Sequence, residues 1–208
     1  LAPWTWLRIG GPAEFFAEPN SMDELVRLMQ GASRSEVPIR FLSSGSNLLI
    51  GDQGVSGLVI HLSAAEFSEV KVQGNEILVG TGAKLNHLVS TATGQGLAGL
   101  ESLVGIPGTV GGAVRNNTSG HGAAIGQWVK SVRALKMSGD PIELAGDELR
   151  FTYRNSNLDD LLLVQVSLEL ERGDTNVITR QMQKLWILNR AAQPTGELGH
   201  CQVFIDPR

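Results

Sequence analysis

Two segments built from small residues could bind a ligand through their backbone. The range 43–47 (SSGSN) follows a predicted strand, and consecutive small residues can form a nest of N–H groups that holds an anion such as a pyrophosphate. The range 99–122 contains seven of the 25 glycines, with apolar residues between them. Bare backbone of this kind must satisfy its N–H and C=O groups, and a flat ligand lying against the peptide planes would do so.

Each segment taken alone could equally be an ordinary packed turn. The first is not followed by the Gly-Lys-Ser/Thr of a Walker loop, and it is not a GxGxxG fingerprint. Because the two glycine-rich turns belong to separate predicted α+β units, together they indicate one long ligand held at both ends. A dinucleotide such as FAD has that shape.

Three side chains in polar segments could take part in chemistry. Arg154, with Tyr153 beside it, could clamp a carboxylate or phosphate, although a surface arginine is the alternative. Cys201 could donate a proton or could simply be buried. No group of His, Cys, Asp and Glu has metal-ligand spacing, so the sequence predicts no metal.

The histidines differ in their predicted surroundings. His121 lies between Gly120 and Gly122 and is the one placed to touch a ligand. His87 is expected on the surface of a predicted helix, and His61, which ends a predicted strand, is expected to be structural.

Composition indicates a globular protein. The 208 residues are 42% hydrophobic and 18% charged, and the net charge of −4 gives no electrostatic reason to bind nucleic acid or an anionic membrane. A single cysteine rules out an internal disulfide and fits the reducing cytoplasm. No apolar run approaches the roughly 18 residues needed to span a bilayer. Because the chain begins with Leu1, it is interpreted as a trimmed or incomplete protein.

The predicted elements form two α+β units in succession. In the first, a capping box at Ser21–Glu24 starts a helix that ends near Gly31, and a strand over 38–42 resumes at 48–50 after the SSGSN turn. The following elements are a strand over 55–62, hairpins around 73–75 and 138–140, a helix over 84–93, a strand over 162–170 with one buried face, and a helix over 176–190 stopped by Gln193-Pro194.

With these residues in place, the chain resembles the bacterial UDP-N-acetylenolpyruvoylglucosamine reductases (UDP-N-acetylmuramate dehydrogenases, the MurB family). The block Ile106–Ala113 (IPGTVGGA) is highly specific, and the resemblance covers nearly the whole chain. The other matching segments, in order, are Thr5–Ala13, Gly45–Leu49, Gly99–Gly105, Asn117, Phe151–Ser156, Gln193-Pro194 and Val203–Pro207.

The resemblance implies an α+β fold with a two-part FAD-binding region of the vanillyl-alcohol-oxidase (PCMH) type. Residues 1–63 and 64–172 are then the two FAD-binding units, and 173–208 begin a substrate-binding domain that is incomplete here. The pyrophosphate is expected on the SSGSN turn and the flavin along the IPGTVGGA block, where a branched side chain at Gly111 would occupy ligand space. The implied FAD-binding residues are Ser44, Gly45, Ser46, Asn47, Leu48, Gly105, Ile106, Pro107, Gly108, Thr109, Gly111, Gly112, Ala113, Asn117 and Gly122.

The implied activity is that of an NADP-dependent, FAD-containing oxidoreductase acting on a CH–CH group. Hydride from NADPH reaches, through FAD, the enolpyruvyl double bond of UDP-N-acetylglucosamine enolpyruvate, giving UDP-N-acetylmuramate for peptidoglycan. Arg154 matches the family arginine that polarises the carboxylate side of the substrate, and Tyr153, Arg154 and Gln202 are expected to bind this UDP-sugar. No protein partner, nucleic acid or membrane is expected.

The C-terminal residues depart from the family pattern. Counting back from Pro207 places Gln202 where the family has a Ser or Cys proton donor, and an amide is a poor acid. Cys201, one residue away, is the expected donor if the register shifts by one. The departure leaves two alternatives, a catalytically impaired FAD-binding module or a flavin oxidase of the wider fold family that uses His121.

Overall fold

The computed structural model describes residues 1–192, so the predictions on Gln193-Pro194, Cys201 and Gln202 lie outside the described residues. In chain order the strands are β1 (Ala13–Ala17), β2 (Ile39–Leu42), β3 (Val55–His61), β4 (Val70–Gln73), β5 (Glu76–Gly80), β6 (Leu97–Ala98), β7 (Ser119–Gly120), β8 (Ala123–Ala124), β9 (Val129–Lys136), β10 (Pro141–Ala145), β11 (Phe151–Thr152), β12 (Asn155–Ser156), β13 (Leu161–Glu169) and β14 (Glu171–Arg172). The α-helices are α1 (Met22–Arg34), α2 (Leu85–Gly94), α3 (Val110–Arg115) and α4 (Thr175–Ala192).

The first unit is a parallel three-stranded sheet in the order β1-β3-β2. The predicted continuation of β2 at 48–50 is wrong, since these residues form no strand and Leu49 is 75% exposed. The reason is that β3 lies in the centre of the sheet with β1 on one edge and β2 on the other, which leaves 48–50 without a strand to pair with.

Helix α1 begins as predicted but runs past Gly31 to Arg34. The Ser21 side chain accepts a hydrogen bond from the Glu24 N–H at 3.3 Å, while the Glu24 carboxylate accepts from Asn20, one residue before the position that a capping box requires. The end is set instead by Glu36, which has φ 53° and closes a Schellman-type turn in which the Val37 N–H bonds to the Ala32 carbonyl.

The second unit is an antiparallel five-stranded sheet in the order β10-β9-β13-β5-β4. Both predicted hairpins are confirmed: β4 and β5 turn at Gly74, and β9 and β10 turn at Gly139, each glycine with positive φ. The predicted helix over 84–93 is confirmed as α2.

Strand β13 is buried on both faces in its first half, not on one face as predicted. Leu162 and Val164 pack in a core with α1 and β3, whereas Leu163 and Val166 pack in the larger core beneath α2 and α3. The strand serves both cores because α1 and the first sheet cover one face while the other helices cover the second, as in sheets with layers on both sides.

Helix α4 packs on the helical layer of the second unit. Ile178 is buried, and the Thr93 hydroxyl contacts the Met182 sulfur at 3.5 Å. Trp186, predicted on the same buried face, is 46% exposed. No helix within residues 1–192 is both long and apolar enough to span a bilayer.

Candidate functional site

A cavity of about 540 Å³ opens between the two units. One wall consists of Ser43 and residues 46–48 in the loop after β2, together with the ends of β2 and β3. The opposite wall consists of most residues in the range 106–118, and residues 81–82 and the start of β13 also line the cavity. This volume lies within the range of about 300–1,000 Å³ that is usual for small-molecule and cofactor pockets.

Most of the predicted ligand-binding residues converge on this cavity. Those in its lining are Ser46, Asn47, Leu48, Ile106, Pro107, Gly108, Thr109, Gly111, Gly112, Ala113 and Arg154. Those that the structure places outside the lining are Ser44, Gly45, Gly105, Asn117, Gly122 and Tyr153.

Gly45 packs against the N-terminal segment and does not face the cavity. Its φ is 59°, and a Cβ atom added to it would lie 2.1 Å from the Trp4 carbonyl oxygen. The Trp6 N–H donates to the Gly45 carbonyl, and the Thr5 hydroxyl donates to the Ile9 carbonyl at 2.8 Å. The start of the Thr5–Ala13 motif therefore packs against the SSGSN turn and stabilises it.

The opposite wall ends in a short helix and is not a simple turn. Thr109 caps α3, its hydroxyl accepting from the Gly112 N–H at 3.4 Å. A Cβ atom on Gly112 would lie 3.2 Å from the Ser43 hydroxyl, and one on Gly108 would lie 3.4 Å from the Ser46 hydroxyl. These two glycines therefore keep the walls close together.

Gly111 lines the cavity and also packs closely against the protein. A Cβ atom there would lie 2.8 Å from the Thr81 Cβ. Thr81 is buried and is fixed by its own hydrogen bond to the Leu163 carbonyl at 2.6 Å. A larger residue at Gly111 would first collide with the protein, so packing is an explanation for this glycine beside the predicted contact with a ligand.

Asn117 holds the fold together by both ends of its side-chain amide. Its Nδ2 donates to the Thr152 carbonyl at 2.8 Å, and its Oδ1 accepts from the Gly126 N–H at 3.0 Å. The residue is buried with φ 43°. These contacts account for Asn117 without a ligand.

His121 does not face the cavity. Its Nε2 donates to the Asn189 Oδ1 on α4 at 2.8 Å, and neither His121 nor the exposed Gly122 is part of the lining. The alternative of a flavin oxidase that uses His121 is therefore without support from this geometry. His87 is exposed on α2, as predicted.

Arg154 reaches the cavity from the turn between β11 and β12. It is exposed and has φ 57°, a left-handed conformation that is uncommon for a residue with a side chain. Its guanidinium lies 5.9 Å from the ring centroid of Tyr153. Ser156, two residues on, is buried and donates to the Arg115 carbonyl at 2.7 Å, which anchors the turn to α3.

Two ionisable residues in the lining, His61 and Arg115, were not predicted as ligand contacts. His61 donates from Nδ1 to the Leu42 carbonyl at 2.9 Å, and its ring lies 4.8 Å from the Trp4 ring. His61 therefore has the predicted structural role, and it also faces the cavity.

Arg115 is half-buried in the wall. The sequence feature that could have identified Arg115 is its position three residues after Gly112, which puts both residues on one side of a helix.

The charge of the lining fits FAD. It contains two arginines, Arg115 and Arg154, and no Asp or Glu of residues 1–192 belongs to it. A pyrophosphate carries negative charge that such a surface attracts, and small residues allow the backbone to approach it. Within the same residues no three His, Cys, Asp or Glu side chains are grouped to hold a metal ion.

Comparison with known proteins agrees with the interpretation of this cavity as an FAD site. The family model described as "FAD binding domain" matches residues 13–145. A UDP-N-acetylenolpyruvoylglucosamine reductase from Rhodopirellula baltica is 42% identical over 202 residues, which are 97% of this chain and 66% of that relative. The chain thus spans about two thirds of that relative's length.

Solved structures show the same fold. The crystal structure of UDP-N-acetylenolpyruvylglucosamine reductase from Thermus caldophilus has a TM-score of 0.80 at 35% identity and covers 93% of this chain and 68% of its own. The 6-hydroxy-D-nicotine oxidase from Arthrobacter nicotinovorans, at 19% identity and a TM-score of 0.65 over 81% of this chain and 38% of its own, shares the fold alone.

These matches confirm the predicted α+β fold, the cofactor FAD and the family resemblance drawn from the motifs. Which residues contact FAD stays a prediction. The chain carries an FAD-binding domain and belongs to the family of UDP-N-acetylenolpyruvoylglucosamine reductases.

Proposed function

We propose that the whole protein reduces the enolpyruvyl group of UDP-N-acetylglucosamine enolpyruvate to UDP-N-acetylmuramate, using NADPH, in the synthesis of peptidoglycan precursors. The observation that carries this proposal is the convergence of the glycine-rich wall and Arg154 on one cavity, to which residues 1–192 contribute no carboxylate. It is supported by the names of relatives at 42% and 35% identity. The single cysteine fits a cytoplasmic location.

The two walls have separate tasks in this proposal. Ser46 and Asn47 on one side, with Gly108 and Gly112 on the other, would hold FAD, while the rest of the cavity admits the UDP-sugar. When bound, FAD supplies a two-electron carrier between the nicotinamide and the double bond. The protein contributes the orientation of the substrate and the stabilisation of charge that develops on it.

Arg154 is the proposed electrostatic contact to the substrate. An arginine is always charged at neutral pH and can bind a carboxylate through two parallel N–H groups. Negative charge that develops next to the substrate carboxylate as the double bond is reduced would be stabilised by this cation. The anchored turn from β11 to β12 holds the side chain at the cavity.

Two further predictions remain proposals. Cys201 is the proposed proton donor, because a thiol with a reference pKa of about 8.5 can give up a proton near neutral pH whereas the Gln202 amide cannot. Of the proposed segments 1–63, 64–172 and 173–208, the division between the first two is supported by the two separate sheets. The described part of the third segment, α4, packs on the second unit.

The experiment is a pair of stopped-flow measurements on the Arg154→Lys variant of the protein carrying FAD. Reduction of the flavin by NADPH should keep its rate. Reoxidation by the enolpyruvyl substrate should slow by about a hundredfold, because lysine keeps the charge but cannot make two parallel hydrogen bonds to the substrate carboxylate. Arg150→Lys is the matched control, since Arg150 is exposed on the same segment and is not part of the lining.

Equal slowing of both half-reactions in Arg154→Lys would remove Arg154 from its assigned role. Absence of any reoxidation by the enolpyruvyl substrate in the unmodified protein would contradict the proposed reaction itself.

A further inference from the structure

Arg115 is a half-buried cation in the cavity wall that the proposed reaction does not use. Its Nη1 donates to the Asp159 carbonyl at 2.8 Å, and its Nη2 donates to the Leu161 carbonyl. The guanidinium lies over the Phe41 ring, 5.8 Å from its centroid. The side chain is thereby fixed between β2 of the first unit and the segment that leads into β13 of the second.

The positive charge of Arg115 is only partly compensated by the protein. Burial lowers the pKa of the guanidinium below its usual value, against the opposing effect of the nearby Asp159 and Asp160 carboxylates, and the group remains charged at neutral pH. The ion pairs found within residues 1–192 involve Lys71 and Lys130, not Arg115. A desolvated cation without a paired carboxylate favours an anion beside it.

The position of Arg115 indicates which anion that is. Arg115 follows Gly112 by three residues, about one helical turn or roughly 5 Å along α3. Gly112 faces Ser43, in the loop where the pyrophosphate is expected. Phe41, on which Arg115 lies, precedes that loop by two residues. The cation therefore lies close to the wall on which the pyrophosphate is expected.

The available donors fit a phosphate group. A guanidinium has five N–H groups, and the described residues give Arg115 two hydrogen bonds, both to backbone carbonyls. The remaining N–H groups belong to a side chain whose orientation is already fixed, so less conformational entropy is lost when a ligand binds.

We propose that Arg115 binds the pyrophosphate of FAD and makes the protein prefer the dinucleotide to flavins with less phosphate. The inference rests on the cavity being the FAD site, and it does not depend on the reductase activity.

The test uses a series of flavins that differ in phosphate. The protein is freed of FAD and titrated with FAD, FMN and riboflavin, followed by flavin fluorescence, in its original form and as Arg115→Met and Arg115→Lys. Arg115→Met should weaken FAD binding by about 10- to 100-fold, in line with loss of a charged hydrogen bond. It should weaken FMN less and leave riboflavin unchanged. Arg115→Lys should retain part of the FAD affinity, because its charge remains.

Matched measurements separate binding from packing. Arg150→Met, an arginine outside the lining, should leave all three affinities unchanged. The thermal midpoint of each ligand-free variant reports damage to the fold. Equal loss of affinity for FAD and riboflavin, with a lowered midpoint, would show that Arg115 only joins the two units and would overturn the proposal. Unchanged FAD affinity in Arg115→Met would overturn it as well.

The outcome is distinguishable from failure of the proposed reaction. A protein that discriminates among the flavins through Arg115 but does not turn over the enolpyruvyl substrate would support this inference and contradict the reductase activity. Turnover of the enolpyruvyl substrate with no effect of Arg115→Met on FAD binding would support the reductase activity and contradict this inference.

Discussion

The two walls of the cavity are both rich in small residues, but their glycines serve different purposes. In the SSGSN wall, Gly45 is turned away from the cavity and fits beneath the Trp4 carbonyl with a left-handed φ of 59°. In the IPGTVGGA wall, Gly108 and Gly112 face the serine hydroxyls of the opposite wall. A glycine motif therefore marks a close approach of backbone, and the structure is needed to say whether the approaching group is protein or ligand.

Gly111 shows the same difference within one helix. It is adjacent to Gly112, but it packs against its own unit and not against the opposite wall. Its missing Cβ makes room for Thr81, within the second unit, whereas that of Gly112 makes room for Ser43, across the cavity. Neighbouring glycines in one helix are thus expected to respond differently to the same substitution. The next three predictions test these differences among the glycines of the two walls.

Gly45→Ala should have the largest effect. The new methyl group would overlap the Trp4 carbonyl, and an L-residue with φ 59° is strained, so the free energy of unfolding without FAD should fall by about 3 kcal/mol. Urea denaturation measures it. Gly74→Ala is the matched control, since Gly74 has φ 66° but open space around it, and should lose only about 1 kcal/mol. Equal losses in the two variants would mean that the Trp4 contact is unimportant.

Gly111→Ala should destabilise the FAD-free protein by about 1–2 kcal/mol, because crowding against the fixed Thr81 outweighs the better helix propensity of alanine. Gly31→Ala, in a helix with nothing near the added methyl group, should instead stabilise by about 0.5–1 kcal/mol. The same denaturation series measures both. A stable Gly111→Ala protein that has lost FAD affinity would favour the ligand-space interpretation.

Gly112→Ala should have the smallest effect on folding and a clear effect on the cofactor. The Ser43 side chain can rotate away from the new methyl group, so the unfolding free energy should stay within about 1 kcal/mol of the original. The methyl group narrows the gap between the walls, and FAD affinity should fall about tenfold. Fluorescence titration measures this change, and an unaltered affinity would place FAD away from Gly112.

The sequence predicted the elements with strong local signals. Both hairpins in the second sheet and helix α2 are confirmed, because turn glycines and apolar periodicity act over a few residues. The strand at 48–50 was wrong because pairing is a long-range property, and both edges of β3 were already occupied. The second buried face of β13 was missed for the same reason, since α1, which covers it, is over 100 residues away in sequence.

The candidate site was predicted through motifs more than through physical reasoning. The motifs brought together the loop at 46–48, the block at 106–113 and Arg154, all of which line the cavity. They could not separate Gly45 and Asn117, whose neighbours are distant backbone groups, from residues that face the ligand. Arg115 and His61 lie outside those motifs, and only the folded arrangement of the walls shows that they reach the cavity.

The most direct test of the central claim is a titration of the FAD-free protein with FAD, followed by the absorbance spectrum and then by denaturation and filtration. We expect that a single FAD binds between the two walls, that its spectrum changes on binding, and that all of the flavin passes the filter after denaturation because no covalent bond holds it. An unchanged spectrum of added FAD would contradict binding in the cavity, and flavin retained on the denatured chain would contradict noncovalent binding.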